Sequence, residues 1–341
     1  MKRLLKRSKV NKIGVIGAGG WGTAIAKLLI DNGHDVTLWA YEDEVAEEIN
    51  NKNENSTYLP GIELPDKLKA TNDAKKLKKA DFFIIAIPTK FLRETLIHNN
   101  FDFNDKIVVN VGKGIEKDTL QTVSSVLIDC CGIERDNYVI LTGPSHAEEV
   151  ARNVPTTVVA AGFNHEKAIL VQKIFTNERF RVYTSDDVTG CEIGGALKNV
   201  IAIAAGIVDG LEWGDNVKAA LMTRGLAEMS RLGAILGANP LTFSGLSGLG
   251  DLIVTCNSHH SRNRSLGEMI GKGKSIEQIL KETRTVAEGI NTTLSACSLG
   301  KKHNVEMPIS EQMYRILFDG IAPVEALNDL MTRSTKREWW W

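Results

Sequence analysis

Lys12-Ile13-Gly14-Val15-Ile16-Gly17-Ala18-Gly19-Gly20-Trp21-Gly22 is the stretch that decides the fold. It opens as a short apolar strand, Ile13 to Ile16, and continues with glycines spaced G-x-G-x-x-G at Gly17, Gly19 and Gly22. A helical pattern, Thr23 to Ile30, follows at once. Gly17 allows the tight turn, Gly19 lets backbone approach a pyrophosphate, and Gly22 lets the helix pack closely on the strand. The helix N-terminus then faces the anion. Such a triplet alone would also fit a plain strand-to-helix turn. The strand before it, the helix after it and a second strand at Val36 to Trp39, entered through Gly33-His34, predict a dinucleotide-binding unit.

Outward from this unit, strands and helices alternate. Further strands are predicted at Phe82 to Ile87, Ile107 to Val111 and Val139 to Leu141, with helices at Glu44 to Asn50 and Leu120 to Ile128. Several strands are apolar throughout rather than alternating, as expected of parallel strands buried on both faces. Thr156 to Ala161 and Phe180 to Tyr183 could extend the sheet. From about Asp187 strand signals almost vanish, and long helical patterns follow at Gly190 to Val208, Asn216 to Leu236, Glu288 to Leu299 and Ser310 to Phe318. A domain boundary is therefore placed near 186–188, with the chemistry expected in a cleft between the two parts.

A chain of 341 residues suits two domains. Lys+Arg total 41 and Asp+Glu 42, so no global field draws the chain towards nucleic acid or a membrane. Cys130, Cys131, Cys191, Cys256 and Cys297 are odd in number and show no metal-binding spacing, which fits reduced thiols in a cytoplasm. For Cys130 and Cys131, at the end of an apolar helical pattern, ordinary packing is expected. His259-His260 lacks a third ligand at useful spacing, and no metal is expected. The basic opening MKRLLKRSK has no apolar core for a signal peptide and reads as a solvated tail. No apolar run is expected to approach the length of a membrane span.

Four other segments carry residues suited to chemistry. Lys113 lies between glycines just after a strand, where a cation can reach a phosphate or carbonyl; a turn with a surface lysine fits equally. Ser145, in Thr142-Gly143-Pro144-Ser145-His146-Ala147, is expected to cap the next helix, whose exposed N–H groups could also bind a substrate oxygen. Lys198 sits in an apolar helix beside Gly194-Gly195, a pair that costs roughly 1 kcal/mol per residue relative to alanine unless something must approach the backbone. Few charges lie near it in sequence, and partial burial would lower its pKa and suit it to acid/base work; a lysine snorkelling from a helix edge is the alternative. Finally, Asp251 and Thr255 share a helix face, and Arg262-Asn263 offer a fork of donors suited to phosphate.

In order along the chain, GAGGWGTA, NGHDVTLW, NVGKGIE, LTGPSHAEEV, EIGGALKNVIAIAAGIVDGL, TRGLAEM, GLSGLGDLIVTC, SRNRSLG and AEGINTT together resemble bacterial-type NAD(P)-dependent glycerol-3-phosphate dehydrogenase over about residues 12 to 332. The resemblance implies an α/β chain. A Rossmann-like N-terminal domain with a mostly parallel sheet (1–187) would precede an all-helical C-terminal substrate domain (188–332) and a tail (333–341). It implies reversible hydride transfer between glycerol 3-phosphate and dihydroxyacetone phosphate, supplying phospholipid synthesis, by a cytoplasmic homodimer with NAD or NADP.

Carried over by position, the resemblance makes Lys198 the general acid/base. Lys113 would touch substrate and cofactor, and its charge would depress the Lys198 pKa further. Gly143, Ser145, Asp251, Ser261, Arg262 and Asn263 would join Lys113 and Lys198 around the substrate, with Arg262 as phosphate anchor. Besides Gly17, Gly19 and Gly22, the cofactor would be lined by Gly20, Trp21, Tyr41, Ala147, Arg262, Val286 and Glu288. Tyr41 departs from the residue, often basic, that NADP-using relatives carry after the second strand, and no acid closes that strand. Two rivals share this architecture: a hydroxyacid dehydrogenase acting on a carboxylate, and a nucleotide sensor without turnover.

Overall fold

The structure, a computed structural model, describes residues 10–282, 287–335 and 337–338. Val286, the basic N-terminal stretch and the terminal tryptophans Trp339 to Trp341 lie outside the described residues.

The first half is an eight-stranded sheet: β1 (Lys12–Ile16), β2 (Asp35–Trp39), β3 (Lys69–Thr71), β4 (Phe82–Ile85), β5 (Ile107–Asn110), β6 (Tyr138–Thr142), β7 (Thr156–Gly162) and β8 (Phe180–Ser185), in the spatial order β3-β2-β1-β4-β5-β6-β7-β8. Every neighbouring pair is parallel except β6 with β7. The strands of β4, β5 and β6 are buried at every residue, because helices cover both faces. Those helices are α1 (Gly20–Asp31), α2 (Asp43–Lys52), α3 (Thr89–Asn99), α4 (Val123–Cys131), α5 (Ala147–Ala151) and α6 (His165–Phe175). Chain order reverses between β1 and β4, so a crevice opens beyond the carboxyl ends of these strands. In open α/β sheets such a switch point is where ligands bind.

After Ser185 the described chain is helical: α7 (Val188–Gly210), α8 (Asp215–Ile235), α9 (Asp251–Asn257), α10 (Arg262–Gly271), α11 (Ile276–Glu282), α12 (Glu288–His303), α13 (Pro308–Tyr314) and α14 (Pro323–Met331). At the centre is α7, which, against expectation, is long and apolar enough to cross a membrane; its apolar length is instead buried within the protein. Its side chains Ile193, Leu197, Val200 and Ile203 form a core with Met229, Leu252, Leu266 and Leu299 from the helices around it. Where α10 crosses α7, a β-carbon on Gly206 would stand 1.9 Å from the Arg264 carbonyl oxygen. One on Gly267 would stand 1.9 Å from that of Ile203. Backbone-to-backbone packing at this crossing fixes the start of α10, and with it Ser261, Arg262 and Asn263.

Two expectations shift. The helix predicted from Leu120 begins at Val123, because Leu120 takes a left-handed φ of 60° in the preceding turn. The edge strand β3 carries no apolar run and was not expected.

Candidate active site

Geometry at the first turn gives each glycine its reason. Gly17 has φ 113°, and a β-carbon there would lie 2.7 Å from the Ala86 carbonyl oxygen; on Gly22 it would lie 1.9 Å from that of Gly17. Gly19 differs, since a β-carbon there meets nothing within 4 Å. It is also the N-cap of α1, with no side chain capping the helix. Open space in front of uncapped N–H groups is what a pyrophosphate requires, so the cradle fits a dinucleotide. The Trp21 indole donates to the Val111 carbonyl oxygen at 3.1 Å, tying this turn to the loop after β5. Ala147 opens α5 with its Cβ 3.8 Å from where one on Gly20 would stand. Tyr41 is 75% exposed just beyond β2, its ring edge-on to Trp39, while Glu42 accepts from the Tyr58 hydroxyl. Because Gly19 has φ −65° and free space around it, Gly19→Ala is expected to leave the melting temperature unchanged. It should still raise the KM for the nucleotide about tenfold or more, read by paired melting and steady-state assays.

Beyond the sheet edge, two lysines converge on one carboxylate. Lys198, on the buried face of α7, donates to Asp251 Oδ1 at 2.5 Å and to Thr255 Oγ1 at 2.7 Å. Lys113 donates to Asp251 Oδ2 at 2.6 Å and to the Gly143 carbonyl oxygen at 3.1 Å. Asp251 is 1% exposed and Lys198 6%. Gly194 and Gly195 are explained by this assembly. A β-carbon on Gly194 would stand 2.6 Å from the Ser247 carbonyl oxygen, in the turn that leads to Asp251; one on Gly195 would stand 3.4 Å from Lys113 Cγ. Burial pushes the Lys198 ammonium down to about 8. Asp251 opposes that shift, and the Lys113 charge adds to it. An ammonium has three donors, and each lysine spends two on these partners. The third is left for an incoming oxygen.

The loop that carries Lys113 is fastened at both ends. Asn110 exchanges two hydrogen bonds with Gly112, and Glu116 takes a bidentate pair from Arg93, both at 2.9 Å. Arg93 also reaches Gln121 and Asp129, so one guanidinium links α3, α4 and the loop. Ile115, between the two anchors, packs into the helical core. Arg93→Lys keeps the charge but not the fork. It is expected to lower kcat/KM for the carbonyl substrate about tenfold, by letting Lys113 drift, with little change in nucleotide KM.

The rest of the cluster lines the same crevice. Gly143 has φ 137°, a value L side chains rarely adopt. Ser145 does not cap α5 as expected: its hydroxyl donates to the Gly143 carbonyl oxygen at 2.9 Å, and the N-cap is His146, without a side-chain cap. The first N–H groups of α5 therefore carry no side-chain cap. Ser261 is itself the cap of α10, accepting from the Arg264 N–H at 3.2 Å. Arg262 is exposed, whereas Asn263 is buried. The expected fork is thus divided: Asn263 donates to Asn199 Oδ1 and accepts from the Gly289 N–H, so Arg262 alone reaches outward. Glu288 opens α12, its carboxyl raised by burial against the opposing charge of Arg262.

Several polar atoms here are buried without a partner: Asn199 Nδ2, Thr142 Oγ1, Thr89 Oγ1 and His146 Nε2. Burial and the charges of Lys198 and Lys113 hold the His146 imidazole below its usual pKa. Buried polar groups are normally paired, so orphans close to two lysines fit the lining of a site for a polar ligand.

Comparison with known proteins agrees with this geometry. Residues 12–168 match the N-terminal part, and residues 187–328 the C-terminal part, of NAD-dependent glycerol-3-phosphate dehydrogenase. The chain belongs to the glycerol-3-phosphate dehydrogenase family. It is 51% identical to a glycerol-3-phosphate dehydrogenase [NAD(P)+] of Pelotomaculum thermopropionicum, covering 96% of this chain and 95% of that protein. For the Bacillus subtilis protein of that name the identity is 48%, over 96% of each. Among solved structures, glycerol-3-phosphate dehydrogenase from Coxiella burnetii superposes with a TM-score of 0.90 at 36% identity, over 95% of this chain and 99% of that one. A D-mandelate dehydrogenase, at 15% identity and a TM-score of 0.63, shares the fold alone.

Residues that reading the sequence missed have a common trait. Asn199, Thr142, Thr89 and His146 are ordinary polar residues, and what they share is a buried polar atom without a partner. Asn199 had one signal, its place directly after Lys198 in a helix otherwise made of apolar and small residues. Lys198 departs from its expected setting too. It has an acid partner, brought from 53 residues away, and is not a snorkelling lysine. Among the described residues no group of three His, Cys, Asp or Glu side chains could hold a metal ion. His260 instead faces His146 and Glu148.

Proposed function

We propose that this family member interconverts dihydroxyacetone phosphate and sn-glycerol 3-phosphate with Lys198 as its acid/base. The chain is an NAD(P)-dependent oxidoreductase, and its substrate is a small phosphorylated triose. The observation that carries the assignment is the convergence of Lys198 and Lys113 on buried Asp251 at the carboxyl edge of the sheet.

When bound, the nicotinamide supplies or receives the hydride. The chain's own residues handle the proton. In the reducing direction Lys198, as an ammonium, gives its uncommitted proton to the carbonyl oxygen; in the oxidising direction the neutral amine takes it back. A pKa of about 8 keeps both forms accessible near neutral pH. Asp251 and Thr255 hold the amine in place, and Lys113 adds positive charge where negative charge develops on oxygen. Gly17, Gly19, Gly20, Trp21, Gly22, Ala147 and Tyr41 would hold the nucleotide, with Glu288 from the helical part and, by its place in the family pattern, Val286. Gly143, Ser145, Ser261 and Asn263 would frame the substrate, and Arg262 would take its phosphate. The division at 187–188 into a nucleotide domain and a substrate domain, with a tail from 333, is part of the same reading. So are a homodimer, the absence of membrane insertion, a cytoplasmic location and a role in phospholipid supply. Kinship supports these, and five free cysteines fit a reducing compartment.

Arg262 separates this reading from a hydroxyacid dehydrogenase. Arg262→Ala is expected to raise the KM for dihydroxyacetone phosphate ten- to a hundredfold while barely changing whatever turnover the wild type gives with dihydroxyacetone, since a charged hydrogen bond contributes about 1.5–3 kcal/mol. Equal loss for both ketones would remove Arg262 as anchor. Turnover of simple hydroxy acids in preference to the phosphate would remove the substrate.

A further inference from the structure

We propose that Cys130 and Cys131 form a dithiol site for trivalent arsenic, separate from the catalytic crevice. The two residues end α4, where neighbouring side chains on a helix ordinarily diverge, yet their Sγ atoms stand 3.3 Å apart. Both are half-buried and free, whereas Cys191, Cys256 and Cys297 are buried.

That separation selects among thiophilic ligands. Two sulfurs bonded at about 2.3 Å to one centre stand about 3.3 Å apart when the bonds meet near a right angle, about 3.8 Å in a tetrahedron and about 4.6 Å in a line. The first case is the pyramidal geometry of trivalent arsenic; the others belong to zinc and to linear two-coordinate ions. Zinc also needs further ligands, and no third His, Cys, Asp or Glu completes a set among the described residues. Oxidation to a disulfide is disfavoured by the same adjacency: consecutive Cα atoms are about 3.8 Å apart, below the 4.4–6.8 Å range of disulfides. The pair thus stays as two thiols, set at the separation that trivalent arsenic spans. Reactivity is helped at Cys130, whose thiol is lowered by the Cys131 hydrogen bond and, after the opposing effect of burial, by the Arg93 charge.

The chemistry is a condensation. Each S–H bond breaks, two arsenic–sulfur bonds form, and the arsenic-bound oxygen leaves as water with both protons. Arsenic stays trivalent, so no oxidant or reductant is needed.

The test uses the full-length native enzyme and phenylarsine oxide. One arsenical per chain is expected to bind with the loss of two titratable thiols. It should resist excess 2-mercaptoethanol and be released by dithiothreitol. Cys130→Ser and Cys131→Ser should each weaken retention about a hundredfold, the loss expected when a chelate becomes a single bond. Both variants should keep wild-type turnover, which also reports that they fold. Failure of the native wild type to bind, release by the monothiol, or full retention in either variant would overturn the site. None of these outcomes depends on the reaction assigned above.

Discussion

Lys198→Ala is expected to lower kcat for reduction of dihydroxyacetone phosphate about a thousandfold, in the middle of the range for loss of a positioned acid/base. Nucleotide binding should survive, because the glycine turn, Trp21 and the free N-terminus of α1 are built without Lys198. Folding should survive as well. The lysine is 6% exposed, but Asp251 keeps its second partner in Lys113, so no buried carboxylate is left alone. Turnover with fluorescence titration of NADH on one preparation checks the claim. A variant that binds nucleotide and turns over normally would show that the proton comes from elsewhere.

Asp251→Asn is expected to be the more disruptive change, because it strips the shared counter-charge from two lysines at once. Removing one partner of a buried ion pair costs about 3–5 kcal/mol, so the melting temperature should fall by many degrees. Its second effect has a definite sign. Asp251 is the leading influence that raises the Lys198 pKa, opposing both burial and Lys113. Without it the amine loses its proton at lower pH, and the protonated form needed for reduction becomes scarce near neutrality. The alkaline limb of the reductive pH profile should therefore move below that of the wild type. A stable variant with an unmoved limb would mean that Asp251 does not set the state of Lys198.

Much of this was legible in the residues. The apolar runs at Phe82–Ile85 and Ile107–Asn110 announced buried parallel strands, and G-x-G-x-x-G fixed the turn between β1 and α1. The small-residue helix around Gly194-Gly195 announced a close approach, which proved to be the turn before Asp251 and the stem of Lys113. What stayed hidden was pairing across distance. Nothing local to Lys198 points to Asp251, and nothing local to Arg93 points to Glu116, 23 residues on. Ser145 looked like a helix cap because a serine before a helical run usually is one, yet a carbonyl two residues back captures its hydroxyl. The edge strand β3 escaped because three residues, Lys69-Ala70-Thr71, carry too little pattern to separate from a turn.

The most direct measurement of the central claim is the pH dependence of kcat/KM for dihydroxyacetone phosphate reduction by the wild-type enzyme, from pH 6.5 upwards. This parameter reports the acid of the free enzyme. If Lys198 is that acid, the rate falls tenfold per pH unit once its pKa of about 8 is passed. A profile that stays flat to about pH 10, the range of an ordinary lysine, would contradict the assignment.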